Sequence, residues 1–147
     1  MDHSSDALGL AEEEGATGLS AFDCYKRFAS DVRRNRLAIL DLLESFKREG
    51  KTIVGYGAPA KGNTLLNFCG IDTRLLPYTV DKNPMKVGLY TPGMHIPVLP
   101  VSTLLECHPD YVLILAWNFA DEIMRQQWEY RNRGGRFMIP IPRLTVV

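Results

Sequence analysis

A chain of 147 residues has room for one domain with a sizeable core. Its 17 Lys and Arg balance 17 Asp and Glu, so there is no overall basic field to hold nucleic acid by counterion release. No apolar run approaches a membrane span, and Met1 to Gly18, rich in Asp, Glu, Ser and Gly, lacks the apolar centre of a signal peptide.

Residues 1–19 read as a disordered lead, with the run Glu12-Glu13-Glu14 and few apolar side chains. Ser20 and Asp23 then resemble a capping box with Asp in place of Glu. Phe22, Tyr25, Phe28, Ala29, Val32, Ile39, Leu40, Leu43 and Phe46 recur at helical spacing, which predicts an amphipathic helical segment over 20–50 that stops at Gly50. Arg33 to Arg36 interrupts the stripe, leaving one long helix or two shorter ones, and Arg33, Arg34 and Arg36 read as a solvated face. The aromatic stripe reads as core or interface.

Ile53 to Ile71, IVGYGAPAKGNTLLNFCGI, is the most informative stretch. Ile53 and Val54 form an apolar run that ends in Gly55-Tyr56-Gly57. Ala58-Pro59-Ala60 and Lys61-Gly62-Asn63-Thr64 follow, before helical spacing through Leu65, Leu66 and Phe68 to Gly70. That is a strand, a glycine-containing turn and a helix N-terminus, the usual α/β device for holding a phosphate. Gly55 and Gly57 permit close approach of a ligand or a positive φ. The first helix amides lack intrahelical partners, and Lys61 adds a positive charge beside them. The pattern departs from G-x-G-x-x-G, since Ala60 stands at the third position and Gly62 comes two residues later. Lys61-Gly62 with Thr64 displaced is also no Walker loop. Lys61, Asn63 and Thr64 exceed what capping requires, so the stretch points to an anionic ligand, a nucleotide diphosphate.

Leu75 to Val80 reads as a second strand ending in Asp81, and Asp81-Lys82-Asn83-Pro84 breaks it. Two readings of Asp81 stand: a ribose contact, as in a dinucleotide fold, or a turn starter. His95 to Val98 reads as a short strand whose prolines, Pro97 and Pro100, suggest an edge, with His95 shaping the preceding turn. Ser102 can cap a short helix, Thr103 to Cys107. Tyr111 to Leu115 has the continuous apolar character of a central parallel strand, with Trp117-Asn118 as its C-terminal loop. A helix from Ala120 to Arg133 is stopped by Gly134-Gly135, and Arg136 to Ile141 is the last strand. The cysteines Cys24, Cys69 and Cys107 are an odd set without a C-x-x-C pair. They fit a reducing cytoplasm and argue against a disulfide framework and a zinc site, with Cys69 and Cys107 as small buried groups.

Strands alternating with helices over 51–147 imply a mainly parallel sheet with helices on both faces, and ligands in such sheets bind beyond the strand C-termini. There the loops 56–64, 81–86, 117–118 and 140–143 should meet. The candidate binding residues are therefore Gly55, Tyr56, Gly57, Ala58, Lys61, Gly62, Asn63 and Thr64, with Asp81, Lys82, Asn83, Trp117 and Asn118.

Several of these motifs together resemble the C-terminal domain of the sugar C-methyltransferases. They are Gly55 to Thr64, Asn67 to Ile71, Val80 to Lys86, Thr91 to Val98, Pro109 to Leu113, Trp117-Asn118 with Glu122-Ile123-Met124, and Gly134 to Phe137, in that order. The resemblance runs from about Tyr25 to the end of the chain. It implies a Rossmann-like three-layer αβα domain that binds a nucleotide-diphospho-sugar beside a preceding methyltransferase domain. It also implies S-adenosylmethionine as the cofactor of the full-length protein, held outside this domain. Zinc cysteines and a second glycine-rich unit for a methyl donor are absent here, so no catalytic residue is expected in this chain. The other function open to such a loop is a stand-alone regulatory module that binds a dinucleotide or coenzyme A.

Overall fold

The computed structural model describes residues 21–147; the expected lead 1–19 and the Ser20 cap lie outside the described residues. The described residues fall into two units, 21–34 and Asn35–Val147. The 28-residue helix α1 (Ala21–Arg48) is continuous through Arg33 to Arg36, so the charged interruption does not split it. In the first unit, Phe22, Tyr25 and Phe28 are exposed, Lys26 lies over the Phe22 ring, and Arg34 pairs with Asp31. In the second unit, Ile39 and Leu43 are fully buried and Leu40, Leu42 and Phe46 pack beside them. The helix closes as expected at Gly50, where the Gly50 N–H donates to Lys47 and the Lys51 N–H to Phe46. Arg36 is not simply solvated: its Nε donates to the Phe68 carbonyl at 3.0 Å and its guanidinium covers the Phe68 ring.

Six strands follow: β1 (Ile53–Tyr56), β2 (Thr79–Asp81), β3 (Val98–Pro100), β4 (Tyr111–Ile114), β5 (Arg136–Ile139) and β6 (Thr145–Val146). Their spatial order is β3-β2-β1-β4-β5-β6, parallel throughout except for the β5–β6 pair. This is the strand order of the doubly wound dinucleotide-binding fold. Between the strands run α2 (Ala60–Cys69), α3 (Thr103–Cys107), α4 (Ala120–Gln126) and α5 (Trp128–Asn132). Side-chain alternation sorts the core into two layers. Ile53, Leu113, Leu115 and Met138 face the second half of α1 and α2, meeting Ile39, Leu43, Leu65 and Leu66. Val54, Tyr56, Val112, Ile114 and Phe137 face α3 to α5, meeting Leu104, Ile123 and Tyr130. The expected three-layer α/β architecture with a long N-terminal helix is present.

Several elements differ from the sequence reading. Leu75 and Leu76 are buried, yet their amides bond back to Asp72 in a turn, so only Thr79–Asp81 is strand. His95 has φ near +60° and stacks on Tyr90, which keeps it in the turn, and β3 begins at Val98. β3 is an edge strand, as its prolines suggested. Ser102 is helical and makes no side-chain cap bond. The Ala120–Arg133 helix breaks at Gln127, whose backbone leaves helical angles. Cys69 is buried but Cys107 is exposed, because the five-residue α3 buries only Thr103 and Leu104. The two-residue β6 went unread, being too short for a period-two signal.

The N-terminal ends of the central strands are clasped reciprocally. Asp110 Oδ2 accepts from the Thr52 N–H at 2.8 Å and from its hydroxyl at 3.1 Å, while the Asp110 N–H donates to Thr52 Oγ1 at 3.0 Å. The backbone bond from Thr52 holds the Asp110 carboxyl below its ordinary value, and the Thr52 hydroxyl adds to this. A depressed folded value means that the clasp contributes fully above the ordinary carboxylate value and is lost as pH falls from there through the lower folded value. Asp110→Ala should therefore cost about 1 kcal/mol at neutral pH. The variant and the wild type should converge in stability below the carboxylate range; a constant gap in chemical-denaturation midpoints across pH 3–7 would contradict this.

Candidate functional site

The crossover from β1 runs to β2 on one side and the chain returns to β4 on the other, so the topological switch point lies between β1 and β4. A cleft of about 260 Å³ opens there. Pro59, Ala60 and Lys61 form one wall; Leu115, Ala116, Trp117, Asn118 and Phe119 form the other. Residues Trp117–Phe119 make a 3-10 turn that leads into α4.

The turn at the end of β1 is tied to β2. The Gly57 N–H donates to the Val80 carbonyl at 2.6 Å, and the Thr79 hydroxyl donates to the Gly57 carbonyl at 2.7 Å. The Ala58 N–H donates to Asp81 Oδ2 at 2.8 Å, and Lys86 Nζ donates to the Ala58 carbonyl at 3.0 Å. Both peptide groups flanking Gly57 and Ala58 are thus engaged within the protein. The free donors lie further on. Pro59 occupies the N-cap of α2 without a side-chain cap, and the first backbone bond of the helix runs from Asn63 N–H to the Pro59 carbonyl. The amides of Ala60, Lys61 and Gly62 precede that bond, so they and the Lys61 ammonium carry the positive end of the helix.

The glycines serve geometry. Gly57 has φ near +94°, and a Cβ there would sit 3.1 Å from that of Ala116. A Cβ on Gly62 would meet the Leu115 Cβ at 2.9 Å, so this residue gives α2 the close approach to β4 that the third glycine of a dinucleotide loop provides. Gly55 likewise yields to Thr79 Oγ1, not to open space.

The other expected residues fall into two groups. Lys61, Trp117 and Asn118 line the cleft, with Ala58 and Gly62 holding its near wall. Tyr56 has its side chain in the core, 4% exposed, with its hydroxyl near Gln127; burial chiefly raises its pKa. Asn63 carries a buried Oδ1 without a hydrogen-bond partner among the described residues. Thr64 bonds back to the Ala60 carbonyl. Asp81 also accepts the Asn83 N–H, and Asn83 Oδ1 accepts the Met85 N–H, while Lys82 bonds Gln126. Sequence reasoning missed Lys86, Thr79 and Phe119. A lysine five residues beyond the strand-ending Asp81 was the available cue for the first, and an aromatic directly after Trp117-Asn118 for the last.

Two larger hollows lie elsewhere. One of about 460 Å³ borders Asp81, Lys82 and Pro100; the other, about 880 Å³, is lined only by α4 and α5 residues around Trp128. Of these three, the switch-point cleft joins Lys61 and the uncapped start of α2 to the rings of Trp117 and Phe119.

Residues 2–142 match the family model described as the C-methyltransferase C-terminal domain. The chain belongs to that family. It is also 38% identical over 138 residues to the C-methyltransferase NovU of Streptomyces niveus, an alignment that covers 94% of this chain and 33% of the relative. The chain thus spans about a third of the length of the relative it matches. Among the described residues, no helix is long and apolar enough to cross a membrane.

In this C-methyltransferase C-terminal domain, the contact of Gly62 with Leu115 sets the width of the cleft. Gly62→Ala should destabilise by about 1–3 kcal/mol through overpacking. Chemical denaturation measures it, and an unchanged midpoint would mean that α2 does not press on β4.

Proposed function

We propose that this chain holds the nucleotide diphosphate of a nucleotide-diphospho-sugar for an S-adenosylmethionine-dependent C-methyltransferase, and is not catalytic by itself. The observation that carries the reading is the switch-point cleft, where Ala60 and Lys61, at the uncapped start of α2, line one side and Trp117 and Phe119 the other. A diphosphate is matched by the charge and amides, and a nucleoside by the rings. The candidate set around it is Gly55, Tyr56, Gly57, Ala58, Lys61, Gly62, Asn63 and Thr64, with Trp117 and Asn118 opposite. Of the remaining candidates Asp81, Lys82 and Asn83, Asp81 holds the turn through the Ala58 N–H, Asn83 donates its own N–H to Asp81, and Lys82 bonds Gln126.

At about 260 Å³ the cleft is smaller than a self-contained small-molecule site, about 300–1,000 Å³. It encloses one end of such a ligand, and the sugar would project toward the methyltransferase domain that precedes this one. S-adenosylmethionine does not fit this chain's residues as a second ligand. The carboxylate that ends β2 already accepts the Ala58 and Asn83 amides, and this leaves it poorly placed for the ribose hydroxyls of a dinucleotide or a methyl donor. The same contacts disfavour a stand-alone dinucleotide-binding module, and favour a transferase domain whose methyl donor is held elsewhere.

Lys61→Ala tests the reading. Its charge-assisted contact is worth about 1.5–3 kcal/mol, so dTDP affinity should fall roughly tenfold to a hundredfold with the melting temperature unchanged. Unchanged affinity would put the anion elsewhere, and a lower melting temperature would make Lys61 structural.

A further inference from the structure

We infer that Phe119 is the wall on which a flat ring of the ligand stacks, so that the cleft selects a nucleoside diphosphate over a bare anion of the same charge. The inference rests on the nucleotide reading above and adds the residue that separates nucleosides from other phosphates.

Phe119 is 61% exposed although it lines the cleft. A single exposed phenylalanine is ordinary on a protein surface. This one differs in its setting. Its backbone is fixed, because its N–H donates to the Ala116 carbonyl at 2.9 Å and Ala120, next in the chain, is buried at the start of α4. Trp117, two residues before it, packs against the core and forms the fixed part of the same wall. The side chain of Phe119 is therefore carried on a rigid turn yet makes no aromatic pair of its own among the described residues, where the ring contacts are Phe46–Tyr111, Tyr90–His95, His108–Tyr130 and Tyr130–Phe137.

Charge complementarity decides the occupant. The opposite wall carries Lys61, and among the described residues no carboxylate lines the cleft. An apolar peptide would leave the lysine and the free amides unmatched, and an inorganic anion would leave the phenyl face in water. A nucleoside diphosphate satisfies both walls at once. Stacking of a base on an aromatic side chain is sequence-tolerant and is worth roughly tenfold or more in affinity.

Calorimetric titration of the 147-residue chain with dTDP and with inorganic pyrophosphate separates these contributions. Phe119→Ala should weaken dTDP about tenfold and leave pyrophosphate unchanged, while Phe119→Tyr keeps dTDP affinity. Far-ultraviolet circular dichroism should be the same in all three proteins, since the exposed ring carries little core packing. A dTDP affinity that survives Phe119→Ala, or that falls together with pyrophosphate affinity, overturns the stacking wall while leaving the nucleotide reading intact. A wild-type chain that binds neither ligand sinks the nucleotide reading itself, and the inference with it.

Discussion

The turn between β1 and α2 is held by four hydrogen bonds from β2 and the residues after it: Val80 to Gly57 N–H, Thr79 to Gly57 C=O, Asp81 to Ala58 N–H and Lys86 to Ala58 C=O. Each satisfies a backbone group that would otherwise be costly to leave unpaired at a buried or half-buried position. Together they fix where the chain leaves the sheet and therefore where α2 begins. Gly57 then takes its positive φ, Pro59 follows at the N-cap, and Gly62 lets the helix sit against Leu115. The cleft, its free amides and the position of Lys61 all follow from that anchoring.

The same anchoring decides which groups are left for a ligand. In a phosphate loop the turn's own amides approach the anion. Here the turn's amides belong to β2, and the donors still open are the first three of the helix. The C-methyltransferase C-terminal domain thus keeps the strand order of a dinucleotide fold while using the acidic residue at the end of β2 as a tether.

Much of this was legible in the residues because local chemistry dominates it. The Ile53–Tyr56 and Tyr111–Ile114 strands are fully apolar runs, and both Gly50 and Gly70 sit at helix ends closed by the same paired backbone bonds. The strand-turn-helix could be read for the same reason, and the convergence of Lys61 with Trp117-Asn118 from the rule that parallel strands bring their C-terminal loops to one edge. What stayed hidden depends on partners distant in sequence. Tyr56 reads as a loop aromatic until the alternation of β1 sends its ring into the layer under α5, and Gly55 reads as ligand clearance until Thr79 fills that space. Lys86 shows no helical or strand period; its place five residues after Asp81 hints at a role there, and the fold shows that it grips Ala58. Leu75 and Leu76 have the composition of a strand, but Pro77 offers no N–H to extend a ladder through them.

The central claim is that the anion is held by the opening amides of α2 and not by the turn tied to β2. Backbone amide chemical-shift mapping of the isotopically labelled chain during a dTDP titration tests it residue by residue. The account predicts the largest shifts at Ala60, Lys61 and Gly62, with a second group at Trp117 to Phe119. Largest shifts at Gly57, Ala58 and Asp81, with little change at the start of α2, would contradict it.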